Sequence, residues 1–213
     1  MATILEKARK DPTSMKGRIL AVARQLFGQY GFHGTTTRMI AREVAIDIST
    51  LHYHWGEKGD LYEAVVLDIC KDLGKKLIEV EKIIHGMPRN DRLSISIEMM
   101  TDYLFDHPEC SNLILFRYFG MTREGDGLDF KIPEFTADVA RSMGLAKDKR
   151  NVPPHVRLEV LALMNSIHNF VSGESLFRPM VNMNRENYIQ LVKQTLTFIH
   201  IPAFAQGSDY ARE

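Results

Sequence analysis

Apolar side chains recur three and four positions apart through most of this chain, the period of helices that each bury one face. Alternating runs bounded by hairpin turns are missing, so strands are not expected. Residues 1–12 are charged and read as a frayed end. Ser14 or Thr13 caps a first helix, where Ile19, Leu20, Ala23, Leu26 and Phe27 share a face until Tyr30-Gly31. Threonines cap a second, TTRMIAREVA, with Met39, Ile40 and Val44 inward. Asp47 caps a third, ISTLHYHW. Gly56 and Gly59 interrupt the chain, and a long fourth helix runs roughly from Asp60 to Ile84 before Gly86-Met87-Pro88.

The second part reads the same way. MPRNDRLSISIEMMTDYLF is a helix to about Asp106, Pro108 opens PECSNLILFRYFG, and REGDGLD is a loop. Pro133 opens PEFTADVARSMG, AKDKRNVPP is a loop, and two final helices span about His155 to Leu176 and Arg185 to His200. The expected fold is all-α with roughly nine helices, three short ones in residues 1–58 and a larger bundle in residues 59–213. No repeat at a fixed period interrupts this reading.

A chain of 213 residues can build its own core without disulfides or metal. The 27 basic and 27 acidic side chains cancel. They are unevenly placed, however: Met1–Tyr62 carries nine basic and six acidic residues, a modest excess at one end that suits a polyanion. Cys70 and Cys110 are far apart in sequence and read as core thiols of a reducing compartment. No secretory leader opens the chain and no apolar run reaches a membrane span, so a soluble, cytoplasmic protein is expected.

The stretch ISTLHYHWGEKGDL, residues 48–61, concentrates the candidate chemistry. His52 and His54 are two apart; on a helix that turns them to opposite sides, which does not suit one metal ion. Leu51 and Trp55 are four apart and form the inward pair. Ser49, Thr50, His52, Tyr53 and His54 are then left facing out, because a short helix cannot bury so many polar tips unpaired. Two short helices joined by a tight turn, the second carrying small polar and aromatic hydrogen-bonding tips, form a helix-turn-helix whose second helix fits the DNA major groove. Lys58 can reach a phosphate. Thr36, Thr37 and Arg38 offer hydroxyls, helix N–H groups and a fixed charge to another.

The run RILAVARQLFGQYGFHGTTTRMIAREVAIDISTLHYHWGEKGDLYEAV, from Arg18 to about Val66, resembles the DNA-binding domain of the tetracycline-repressor (TetR) family of transcription regulators. R-I-L-x-x-A-x-x-L-F, the following G-F, the T-T before I-A, the L-x-Y-H-aromatic run and the closing K-x-x-L carry the likeness in order and spacing. The resemblance implies a three-helix head, a six-helix body that binds a ligand and dimerises, and a homodimer reading a palindromic operator in double-stranded DNA. It implies DNA contacts from Thr36, Thr37 and Arg38, from Ser49, Thr50, His52, Tyr53 and His54, and from Lys58. Three positions depart from the family pattern. Ala45 stands where glycine is usual, so the turn is expected to do without left-handed backbone there. His52 replaces a tyrosine, and Trp55 replaces a phenylalanine as a larger core plug.

In the body, Leu158, Leu161, Met164, Asn165, His168 and Val171 line one of the last two helices and Ile189, Val192, Leu196 and Ile199 the other. With the resemblance, they are the expected dimer interface. Methionines and aromatics grouped in IEMMTDYLF and LILFRYFGM suit an apolar effector pocket. Its candidates are Met100, Tyr103, Leu104, Phe116, Phe119 and Met164, edged by Cys70 and His168. Arg117 reads as a salt-bridge group in preference to an anion hook. A tilt of the long helix would change the spacing of two heads and release DNA. No cofactor is expected. The rivals are an activator, a regulator without a small-molecule ligand, and an all-α enzyme. For the enzyme the chain offers no nucleophile elbow, phosphate loop or metal cluster.

Overall fold

The computed structural model describes residues 3–119 and 131–206. Among them are eleven α-helices, a 3₁₀ turn at Lys149–Asn151 and no strand. The REGDGLD loop lies outside the described residues. The all-α architecture is as expected, with two short helices added.

The first addition is α1 (Ile4–Lys10), where a frayed end was expected. A capping box holds it: the Glu6 N–H donates to Thr3 Oγ1 (3.1 Å) and the Thr3 N–H donates to the Glu6 carboxylate (2.8 Å). Leu5 and Ala8 are buried, so tertiary packing stabilises seven residues that would not be helical alone. Next, α2 (Met15–Gly34) is capped by Ser14, whose side chain accepts from the Gly17 N–H. It kinks at Gly31 (φ 68°), near the expected stop.

α3 (Thr37–Val44) is capped by Thr36, which accepts from the Met39 N–H. α4 (Ile48–Trp55) and the 27-residue α5 (Lys58–Ile84) follow. Asp47 occupies the α4 N-cap position, but its carboxylate makes no capping bond.

The later helices are α6 (Arg89–Asp106), α7 (Pro108–Phe119), α8 (Lys131–Ser142), α9 (Pro154–Ser172), α10 (Glu174–Met180) and α11 (Arg185–Gln206). α10 is the second addition. The expected helix to Leu176 breaks at Gly173, where an added Cβ would stand 2.3 Å from the Phe177 ring.

The chain divides into two compact units. The first comprises residues 1–73 and 112–122, the second 74–111 and 123–213, so the division falls within α5 and α7. In the first unit α1, α3 and α4 pack on α2 around Ile19, Ala23, Phe27, Ile40, Leu51 and Leu61, all fully buried. In the second, α6, α9 and α11 pack together, and α8 packs on α9. Lys193 of α11 is bound to Asp102 of α6 at 2.9 Å.

Candidate nucleic-acid interface

α4 is held from below. Leu51 is fully buried and Trp55 is 3% exposed, the expected inward pair. The Trp55 indole N–H donates to the Lys16 carbonyl (3.2 Å), so the larger plug also ties α4 to the start of α2. With that side fixed, Ser49 and Tyr53, four residues apart, project outward. Tyr53 is 84% exposed. Thr50, His52 and His54 are half-buried along the flanks.

The two histidines have separate neighbours. His52 Nδ1 lies 3.6 Å from the Glu57 carboxylate, and His54 Nδ1 lies 3.4 Å from Lys16 Nζ. Burial, and then the Lys16 charge, push the His54 pKa below its ordinary value, so near neutrality the ring is uncharged and can accept from the ammonium. Among the described residues no three His, Cys, Asp or Glu side chains are grouped as metal ligands.

The α3–α4 turn departs from expectation. Ala45 does adopt left-handed backbone (φ 60°, ψ 53°), in the place a glycine would take. The helix end forces it: the Ala45 N–H donates to the Arg42 carbonyl (3.1 Å) and the Ile46 N–H to the Ala41 carbonyl (2.9 Å), a Schellman closure. The Arg18 guanidinium donates to the Val44 carbonyl (2.9 Å) and secures the same end. Neither Arg18's role nor α1 was foreseen, because both act through partners distant in sequence.

At the start of α3, Thr36 and Arg38 are exposed and Thr37 is half-buried. Lys58 is not a cation standing in solvent. Its Nζ donates to the carbonyls of Phe32 (3.0 Å) and Thr35 (3.1 Å) and sits 4.2 Å from the Phe32 ring centroid.

The body candidates divide between the units. Cys70 and Phe116 belong to the first, where Phe116 lies against Gly31. Arg117 pairs with Glu63 at 3.5 Å, the expected salt bridge. Met100, Tyr103, Leu104, Met164 and His168 belong to the second. Leu104 is buried and Met100, Tyr103 and Met164 are half-buried. His168 is 4% exposed and shares a 3.0 Å hydrogen bond with the buried Ser111 hydroxyl; burial brings its pKa down to about 4. The Phe119 side chain lies outside the described residues.

The expected interface stripes are rearranged. Leu158 is 66% and Ile199 53% exposed, Asn165 is exposed, and Leu161 and Ile189 are half-buried. Val192 and Leu196 are instead 3% and 0% exposed, on the side of α11 that meets the chain's own core, so they cannot line an outer face. Phe198 (80% exposed), Leu176 (63%) and Met180 (75%) stand outside in their place.

Known proteins share both the head and the helical plan. The family model described as bacterial regulatory proteins, tetR family, matches residues 19–65. The chain is 25% identical over 153 residues to the HTH-type transcriptional regulator UidR of Escherichia coli K12, covering 72% of this chain and 76% of that one. It is 32% identical over 92 residues to the biofilm operon icaADBC HTH-type negative transcriptional regulator IcaR of Staphylococcus aureus strain Newman, covering 43% and 45%. The ketosteroid transcriptional regulator KstR2 of Mycobacterium tuberculosis superposes with a TM-score of 0.61 at 17% identity, over 90% of this chain and 95% of that one. FadR of Bacillus subtilis, in complex with stearoyl-CoA, superposes with a TM-score of 0.58 at 14% identity, over 86% and 96%. At these identities the superpositions establish the fold.

Proposed function

From the premise that the chain belongs to the TetR family of DNA-binding transcriptional regulators, we propose that it is a repressor that binds a palindromic operator as a homodimer and leaves it when a small molecule binds the body. The observation that carries the reading is the outward face of α4. Ser49 and Tyr53 project from a helix whose opposite side is fixed by Leu51 and Trp55, within the matched residues 19–65. A helix so anchored presents base-reading tips to the major groove while Thr36, Thr37 and Arg38 at the start of α3 meet phosphates. Thr50 and His52 flank the same face. His54 faces Lys16 and supports α4 more than it reads DNA.

Homodimerisation is supported by the apolar residues that a lone chain leaves exposed on α9 and α11, Leu158, Phe198 and Ile199. A largely apolar effector is supported by Met100, Tyr103 and Met164 in the second unit, and by the stearoyl-CoA held by the similarly folded FadR. The buried Ser111–His168 pair offers that ligand a polar group. α5 leads from Lys58, within the first unit, into the second, so an effector that favours one inclination of α5 would alter the spacing of paired heads.

The test is selection of bound duplexes from a random DNA pool by the purified protein at moderate salt. A recovered palindrome, with binding lowered in Tyr53→Ala, is the expected result. A folded dimer that enriches no sequence sinks the reading.

A further inference from the structure

We propose that Lys58 is a positioning residue: it aims α3 at DNA through the α2–α3 corner and does not serve as a phosphate contact of its own. This rests on the DNA-binding reading above. The ammonium has three N–H donors, and two are spent on the carbonyls of Phe32 (3.0 Å) and Thr35 (3.1 Å). Both carbonyls lie where α2 ends, and helix-end carbonyls lack intrahelical N–H partners. A cation there also meets the negative end of the helix dipole. The Lys58 charge is thus directed into the protein.

What it holds is well defined. Gly31 (φ 68°) turns α2 at its last turn, and Phe32 follows the kink. The Phe32 ring packs against Tyr62 of α5 (centroids 5.0 Å apart) and Phe27 of α2 (6.3 Å), with Lys58 Nζ 4.2 Å above it. Thr35 is fully buried, and its hydroxyl donates to the Leu26 carbonyl (3.0 Å). The next residue, Thr36, is the cap of α3, and Arg38 sits in that helix's first turn. Lys58 therefore fastens the first turn of α5 to Phe32 in the last turn of α2 and to Thr35, the residue before the α3 cap. Any shift of α5 is passed to Thr36, Thr37 and Arg38 through this fastening.

Two measurements on the full chain separate this role from a direct phosphate contact. The first is amide hydrogen exchange without DNA, read at Met39 and Ile40, whose N–H groups bond Thr36. Lys58→Met keeps the apolar stem and removes the ammonium; exchange at both sites should quicken at least about tenfold, the effect of losing charge-assisted hydrogen bonds. The second is the salt dependence of affinity for a duplex recovered by the selection above. Lys58→Met should weaken binding at every salt concentration with the slope of log K against log salt unchanged, whereas Arg38→Met should flatten the slope by about 0.9. Unaltered exchange at Met39, or a slope flattened by about 0.9 in Lys58→Met, overturns the proposal. Should Lys58→Met not fold, Lys58→Arg decides: positioning gives quicker exchange and weaker binding, a phosphate contact gives wild-type values of both. If no duplex is selected, the DNA-binding reading fails, and the exchange data still decide what Lys58 holds.

Discussion

Arg9 of α1 and Asp72 of α5 are joined by a 2.7 Å hydrogen bond between guanidinium and carboxylate, across 63 residues of sequence. Arg9 also bonds Asp68, and Arg24 of α2 bonds both Asp68 (2.9 Å) and Asp72 (2.6 Å). Two cations and two anions thus pin α1 and α2 to α5 within the first unit. Burial raises the Asp72 pKa, but hydrogen bonds from Arg24 and Arg9 outweigh it and hold the carboxyl below its ordinary value.

Arg9→Met should destabilise the protein by about 1–3 kcal/mol at neutral pH, less than breaking a fully buried pair because Arg24 remains. A carboxyl whose folded pKa is depressed contributes stability above its unfolded value of about 3.9, and that contribution is lost as pH falls through the folded value. The gap between wild type and Arg9→Met in chemical denaturation should therefore narrow below about pH 4. A gap that widens on acidification would contradict the assignment.

This cluster also shows what the sequence could not tell. The Leu51–Trp55 pair was readable because four-residue spacing puts both on one helix face. α1 was not, because seven residues form fewer than two dependable turns and its anchor lies on α5. Val192 and Leu196 were misplaced for another reason. α11 carries apolar residues on two sides, and periodicity alone does not say which side meets the chain's own core and which, with Phe198, stands outside. Lys58 was legible as a cation at the start of α5, but its bonds to the Phe32 and Thr35 carbonyls follow the kink at Gly31, which spacing does not reveal.

Ala45→Gly should stabilise the head by about 1 kcal/mol. A left-handed alanine costs roughly 1–2 kcal/mol, which the greater freedom of glycine in the unfolded chain offsets in part. The Ala45 and Ile46 N–H bonds to Arg42 and Ala41 are retained in either case. The check is a urea midpoint that rises with the m-value unchanged. A lowered midpoint would mean that the alanine methyl makes a packing contribution larger than its backbone strain.

His168 predicts a loss of stability in mild acid. Its folded pKa of about 4 lies below the 6.5 of the unfolded side chain, because burial disfavours the charged ring. The unfolded state therefore binds the proton first, and stability is lost as pH falls from 6.5 toward 4. A shift of this size corresponds to roughly 3 kcal/mol. His168→Gln keeps a hydrogen-bonding partner for Ser111 and removes the titration, so its stability should be flatter than wild type across that window. Parallel pH profiles for the two proteins would show that His168 does not titrate as its burial requires.

Leu158→Glu and Phe198→Glu should each convert the dimer to a folded monomer. In the lone chain these side chains are 66% and 80% exposed, so the substitutions remove little intramolecular packing and the helical content of the monomer should persist. At the centre of a two-fold interface each would bury an unpaired carboxylate facing its own copy, a cost of several kcal/mol. Leu196→Ala is the contrasting variant. It opens a cavity at a fully buried site and should cost about 2–5 kcal/mol of chain stability without adding a charge to any surface. Sedimentation velocity reads the difference. Wild type should sediment as two chains and both glutamate variants as one, with operator affinity falling at least about a hundredfold as the second head is lost. Dimers that survive both glutamate substitutions would move the interface away from Leu158 and Phe198, and with it the route by which a body ligand could space two heads.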